Sequence, residues 1–207
     1  KFLFEELIKR DFKKKYKRTT LGMIWSILSP LLMLLVMKIV FTQFFGSNVE
    51  HYTTYIFAGN LVFFYFNEST NAGMAALEGN SGIINKVNVP KYMFVLSCNI
   101  SAFINFLLTF VVFFVFAAFD GIVFAFRFFA LIYPILCLMV FNIGAGMILS
   151  ALFLFFRDMK YLYQVFTRLL MYLSAIFYTV DRYPPTAQRL FLMNPIYVYI
   201  KCIRVIV

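Results

Sequence analysis

Three ionisable side chains interrupt long apolar runs: Lys38, Glu68 and Arg168. A charge at the bilayer centre costs about 2.5–3.5 kcal/mol on insertion scales. Each of the three must therefore meet a partner, a polar path or the nearest interface. Glu68 stands in the polar stretch Asn67-Glu68-Ser69-Thr70-Asn71, which lines either a water-accessible path or a helix–helix core. The rings just before it, Phe63-Phe64-Tyr65-Phe66, read either as a stacking surface for sugars in a channel or as ordinary lipid-facing aromatics. With Glu68, Lys38 and Arg168 they form the candidate substrate path. His51 beside Glu50 is the pairing that would suit acid–base catalysis, as in a small membrane glycosyltransferase. Other catalytic equipment is missing. A single histidine rules out a two-histidine metal site, and the sequence holds no phosphate loop, no HExxH and no GxSxG turn. Cys98, Cys137 and Cys202 stand apart in apolar surroundings with neither CxxC nor metal spacing.

The elements that must position these residues are helices in a membrane. Of 207 residues, 63% are apolar and 14% charged. Soluble domains run at roughly 45–50% and 25%, and a soluble core of this size cannot bury so much apolar surface. A spanning helix needs about 20 mostly apolar residues. Charge-poor runs place five spans, at 22–45, 53–77, 92–119, 128–156 and 161–180. The expected fold is an all-α integral membrane protein, with residues 1–207 forming one transmembrane domain.

Both ends of the chain read differently from its middle. In 1–18, Phe4, Ile8, Phe12 and Tyr16 recur every four residues with Leu7 beside them, and Lys and Arg fill the other side. That spacing predicts an amphipathic helix lying at the interface, with membrane lipids as its first partner. It lacks the apolar stretch that follows the basic region of a signal peptide. After Val180, the apolar run between Arg189 and Lys201 is too short to cross and is broken at Asn194-Pro195. Segment 181–207 is therefore expected to be an outer re-entrant hairpin, with a sixth span beyond Val207.

The net charge is +10, from 19 Lys and Arg against 9 Asp and Glu, and eight of the basic residues lie in 1–18. In a soluble protein this would point to nucleic acid. Directly before apolar sequence it reads as a membrane-surface anchor, so no nucleic-acid partner is expected. With the N-terminus inside, the inner segments carry twelve basic residues and the outer ones five. Positive charge gathers on the cytoplasmic side, which places the N-terminus there. Segment 80–91 then becomes the longest inner loop, with apolar and basic residues alternating along it.

Four further patterns occur in order along the chain. Leu21-Gly22-x-x-Trp25-x-x-x-x-Pro30 follows the basic helix, and Asn80-Ser81-Gly82-Ile83-Ile84-Asn85-Lys86-Val87-Asn88-Val89-Pro90-Lys91 fills the inner loop. Gly144-x-Gly146-x-x-Leu149-Ser150-Ala151 then runs into Phe155-Phe156-Arg157-Asp158. Last come Ile176-Phe177-Tyr178, Pro184-Pro185 and Asn194-Pro195. Together they resemble the membrane subunits of ATP-binding-cassette exporters of lipid-linked polysaccharides, the O-antigen and teichoic acid permeases. That resemblance implies six spans in a bacterial plasma membrane and a second copy of the chain completing a channel at the dimer interface. It also implies two ATPase subunits that hold ATP and magnesium, with no cofactor in this chain. The inner loop would be the helix that couples to the ATPase, through Asn80, Ile83, Ile84, Lys86, Val87, Pro90 and Lys91. The chain departs from the pattern at Ala175, where proline is common, at Phe63, where tryptophan is frequent, and at Lys38, usually uncharged. A permease for drugs or simple lipids, and the small glycosyltransferase, stay open as alternatives.

Overall fold

A computed structural model describes residues 2–16, 22–44, 51–122, 126–180 and 183–207, and these are mostly helical, without a strand among them. In chain order the helices are α1 (Phe2–Tyr16), α2 (Trp25–Phe44), α3 (Tyr52–Gly79), α4 (Ser81–Ile84) and α5 (Tyr92–Phe119), then α6 (Ile132–Phe155), α7 (Met159–Leu173), α8 (Pro185–Leu192) and α9 (Pro195–Ile206). Short 3-10 turns at Gly22–Ile24 and Phe126–Leu131 precede α2 and α6. Two stretches, Tyr92–Phe119 and Phe128–Phe155, are long and apolar enough to cross a membrane. Helix α3 has similar length but carries the polar stretch around Glu68. In α2, Pro30 removes one backbone donor without ending the helix.

The chain divides into two compact units. The first comprises Lys1–Gly22, Phe64–Phe106 and Leu136–Arg168. Its apolar packing gathers in two places. Leu7 of α1 joins Ala76, Phe94 and Val95, with Ile83, Ile84 and Val89 of segment 80–91 against them. Met74, Phe153 and Tyr163 form the other cluster. Between α3 and α6 the backbones touch: a β-carbon on Gly73 would lie 2.9 Å from the Gly146 α-carbon. Small residues permit such close crossings where lipid supplies no hydrophobic drive between helices. Polar side chains close the remaining gaps. Ser69 donates to Asn99, and the Tyr163 hydroxyl donates to Thr70 at 2.5 Å. On α1, Glu6 pairs with Lys9 at 2.9 Å, and that hydrogen bond holds the exposed ammonium above its ordinary pKa.

The second unit comprises Met23–Phe63, Leu107–Ile135 and Leu169–Val207. Phe57 packs on Phe113 with ring centroids 5.5 Å apart, and Phe110 meets Phe114 edge-on at 4.7 Å. Asn194 caps α9 by accepting from the Ile196 amide at 3.0 Å, and Pro195 takes the first helical position, where its missing donor does not matter. The Asn194-Pro195 break thus yields two short helices of 8 and 12 residues, neither long enough to cross a bilayer.

The span expected over 161–180 is not one helix. Helix α7 stops at Leu173, and Ala175 then takes φ of +49° while fully buried. A proline could not adopt that backbone, so the departure from the family pattern at 175 accompanies a local conformation proline forbids. A left-handed conformation costs a β-carbon residue about 1–2 kcal/mol. Ala175→Gly is therefore expected to stabilise the protein by about 0.5–1 kcal/mol after the added unfolded-state entropy. Thermal unfolding in detergent reads this directly, and an unchanged or lower midpoint would refute the strain.

Candidate functional site

The first unit holds a groove of about 350 Å³ built by three helices. From α3 it takes Glu68, Ala72, Ala75, Ala76 and Gly79, and from the joint just after it Asn80. Their spacing of three and four residues places them on one helical face. Helix α5 adds Cys98, Ser101, Ala102 and Asn105, again on one face, and α1 adds Arg10 and Asp11. Alanine and glycine make the walls, so the space between the helices stays open.

Its polar ends are tied into the scaffold. The Arg10 guanidinium donates to Asp11 Oδ1 at 2.6 and 3.0 Å and to Asn80 Oδ1 at 2.7 Å. Asp11 in turn accepts from the Ser97 hydroxyl at 2.9 Å and from the Cys98 thiol at 3.5 Å. Asn80 returns its amide to the Ala76 carbonyl at 2.7 Å, and its backbone oxygen accepts from Ile83 and Ile84. One network therefore fixes α1, the joint between α3 and α4, and the start of α5. Glu68, at the other end, accepts from Asn105 at 2.9 Å.

Of the residues in segment 80–91, Asn80 is buried at the joint, while Ile83 and Ile84 sit half-buried against Leu7 and Phe94. Lys86, Val87, Pro90 and Lys91 are exposed, and the Pro90 and Lys91 carbonyls receive the first amides of α5. The outward face of this segment is thus Lys86, Val87, Asn88, Pro90 and Lys91, and the two isoleucines with Val89 anchor it from beneath.

The aromatic run does not present four rings to one side. Phe63, Tyr65 and Phe66 are buried at 3–4% exposure, and Phe64 is 44% exposed. Consecutive helical residues diverge by about a quarter turn or more, so only one of the four reaches the surface. Tyr65 packs on Phe106 at 4.6 Å and Phe66 on Phe141 at 6.2 Å. Arg168 is exposed on α7, beside Lys160 and Gln164 at four-residue intervals. Lys38 lies in α2, but its side chain is outside the described residues, as is Glu50. His51 faces Asp120 at 3.4 Å, and Thr54 donates to the same carboxylate at 2.5 Å.

The structure therefore brings together Glu68 and Asn80 from the sequence-derived set, and adds Arg10, Asp11, Ser101 and Asn105. The available signal was the run of small residues Ala72, Ala75, Ala76 and Gly79 at helical spacing between them.

Comparison with known proteins accords with this membrane architecture. The ABC-2 type transporter family matches residues 3–207. The chain is 27% identical over 200 residues to an O-antigen export system permease protein of Klebsiella pneumoniae, across 94% of this chain and 77% of that one. A Myxococcus xanthus protein of the same description is 23% identical over 197 residues, covering 93% and 75%. The polysialic acid transport protein of Escherichia coli is 21% identical over 199 residues, covering 95% and 77%.

Proposed function

This chain belongs to the ABC-2 type transporter family, and from that premise we propose that it is the permease subunit of an exporter of lipid-linked polysaccharide in a bacterial plasma membrane. The carrying observation is the family match over nearly the whole chain, together with relatives described as exporting O-antigen and polysialic acid. The permease is not an enzyme. Its ATPase partner, proposed in two copies, binds ATP with magnesium and hydrolyses it, and this chain holds no cofactor. Two copies of the chain form the channel between them, each with its N-terminus in the cytoplasm and several spans beyond the two apolar ones.

Coupling runs through the inner loop. Lys86, Val87, Pro90 and Lys91 face outward toward the ATPase, and Ile83 and Ile84 pass its movement into the Leu7–Phe94 cluster. Arg10 and Asn80 hold α1 rigidly to that joint, so α1 moves with the loop. Closure of the ATPases then shifts a two-state channel, to the extent that ATP favours one state over the other. The glycan enters from the inner leaflet and slides past weak, repeated contacts, with Phe64, Glu68, Lys38 and Arg168 on its path. The deeper rings Phe63, Tyr65 and Phe66 support that wall.

Gentle detergent purification of the tagged protein from its own membranes is expected to bring down a stoichiometric ATPase. Lys86→Glu with Val87→Asp should leave membrane insertion intact and lower ATPase retention and surface polysaccharide by about tenfold. That corresponds to about 1.4 kcal/mol lost at the contact. Wild-type levels of both would remove the coupling assignment, and a lone protein without an ATPase would remove the transporter reading.

A further inference from the structure

We propose that the seam between α3 and α6 binds an ordered water molecule at its midpoint, hydrogen-bonded to the Tyr65 hydroxyl and the Asn142 side chain. The inference stands on the packing of the first unit and does not depend on what the protein exports.

Three polar atoms carry it. Among the described residues, the Tyr65 hydroxyl and both the oxygen and the nitrogen of the Asn142 amide are buried without a hydrogen-bond partner. Asn142 is fully buried and Tyr65 is 3% exposed. The two helices touch on this side, with the Phe66 ring on that of Phe141 and Gly73 against Gly146. Across the seam the Tyr65 hydroxyl lies close enough to Asn142 to interact with it, yet the two do not meet in hydrogen-bonding geometry.

Depth makes this arrangement costly. Tyr65 stands halfway along α3, and Asn142 halfway along the apolar stretch Phe128–Phe155. Each is about 20 Å from either end at 1.5 Å per residue, too far for the side chain to lean out to a wet surface. A polar group buried there with no partner carries its full desolvation penalty.

The neighbouring side chains are already engaged. Ser69, which also faces Tyr65, donates to Asn99, and Asn99 gives its own amide to the Val95 carbonyl at 2.8 Å. The Tyr163 hydroxyl donates to Thr70, and Thr70 donates to the Phe66 carbonyl at 2.7 Å. Packing fixes the Tyr65 ring too, with Phe106 at 4.6 Å and Phe103 at 5.8 Å. The missing bonds therefore need a third body. Asn142 presents two donors and an acceptor, and Tyr65 presents one donor with acceptor lone pairs. Such a neutral, mixed set fits a neutral molecule that both gives and takes protons. Water does so, and buried waters make about three hydrogen bonds to groups of this kind.

The test uses the full-length protein, labelled with 15N-asparagine, in liposomes of phosphatidylethanolamine with phosphatidylglycerol. Solid-state NMR then follows polarisation passing from water to the side-chain amides. The Asn142 signal, assigned by its loss in Asn142→Leu, is expected to grow in alongside that of the exposed Asn88. It should run well ahead of Asn99, whose amide is tied to Val95. Thermal unfolding gives a second measurement with a definite sign. Tyr65→Phe should lower the midpoint by about 3 °C through the lost hydrogen bond, whereas removing an orphaned hydroxyl would raise it. Adding Asn142→Leu to Tyr65→Phe should recover most of the loss, since apolar groups then replace both partners. An Asn142 signal as slow as that of Asn99, which a direct bond to Tyr65 would also give, overturns the proposal. So does a midpoint that rises in Tyr65→Phe.

Discussion

Arg204→Ala is expected to lower the unfolding midpoint by about 10 °C and to be the most damaging single truncation in the second unit. From α9 the guanidinium reaches three carbonyl oxygens, those of Tyr55 at 3.2 Å, Ala175 at 2.9 Å and Ile176 at 2.7 Å. Its carbon also lies 3.5 Å from the Tyr55 ring centroid. The carbonyls of Ala175 and Ile176 follow the end of α7, where no further helical turn supplies donors. Each buried carbonyl stripped of its donor costs about 1–3 kcal/mol, so the three together cost at least about 3 kcal/mol. At about 2–4 °C per kcal/mol for a chain of this size, the midpoint drops by about 10 °C. Arg204→Lys should recover only part, because an ammonium is a compact point charge that cannot span the three oxygens. An independent check lies in Gly59. A β-carbon there would sit 2.7 Å from Arg204 Nη2, so Gly59→Ala should be harmful in the wild type and much less so beside Arg204→Ala. Additive effects in that double-mutant cycle would refute the contact.

The second large effect separates two glycines of one motif. Gly73→Val forces side-chain carbons against the Gly146 backbone, where even a β-carbon would stand at 2.9 Å. Backbone cannot swing aside as a flexible side chain can, so the cost should reach the upper end of the about 1–3 kcal/mol typical of overpacking. Gly146→Ala is milder, since its β-carbon would meet the Asn99 amide at 3.1 Å. Gly144 has nothing within 4 Å, and Gly144→Ala should stabilise α6 by up to about 1 kcal/mol through helix propensity alone. Thermal unfolding of the three variants should therefore rank Gly144→Ala above wild type and Gly73→Val far below it. The same sign for Gly144→Ala and Gly73→Val would contradict the crossing.

These two glycines show what the sequence could and could not disclose. Gly144-x-Gly146 stands out as a motif, but which glycine touches another helix depends on a partner seventy residues away. Helical content, apolar stretches and the break at Asn194-Pro195 were legible because period, composition and capping are local properties. The end of α7 was not. Residues 174–180 are as apolar as a span, and only the left-handed backbone at Ala175 and the Arg204 contact reveal the break. Glu68 and Asn80 were legible as unusual residues, but the groove that joins them needs Arg10 and Asn105, which come from other helices. In the run Phe63–Phe66 the rotation of the helix buries three of the four rings, which counting rings along the sequence does not disclose.

The reach of Arg204 also sets a clock on biogenesis. The oxygen of Tyr55 waits for a side chain 149 positions later in the chain. At about 5–20 residues per second, the ribosome needs on the order of ten seconds or more to deliver it. The carbonyls of the α7 break wait a further 28–29 residues for the same guanidinium, so the nascent second unit cannot lock by local contacts alone. Locking of that half is thus postponed until Arg204 has been synthesised, and a lipid, a water molecule or the insertion machinery occupies the place of the guanidinium until it comes.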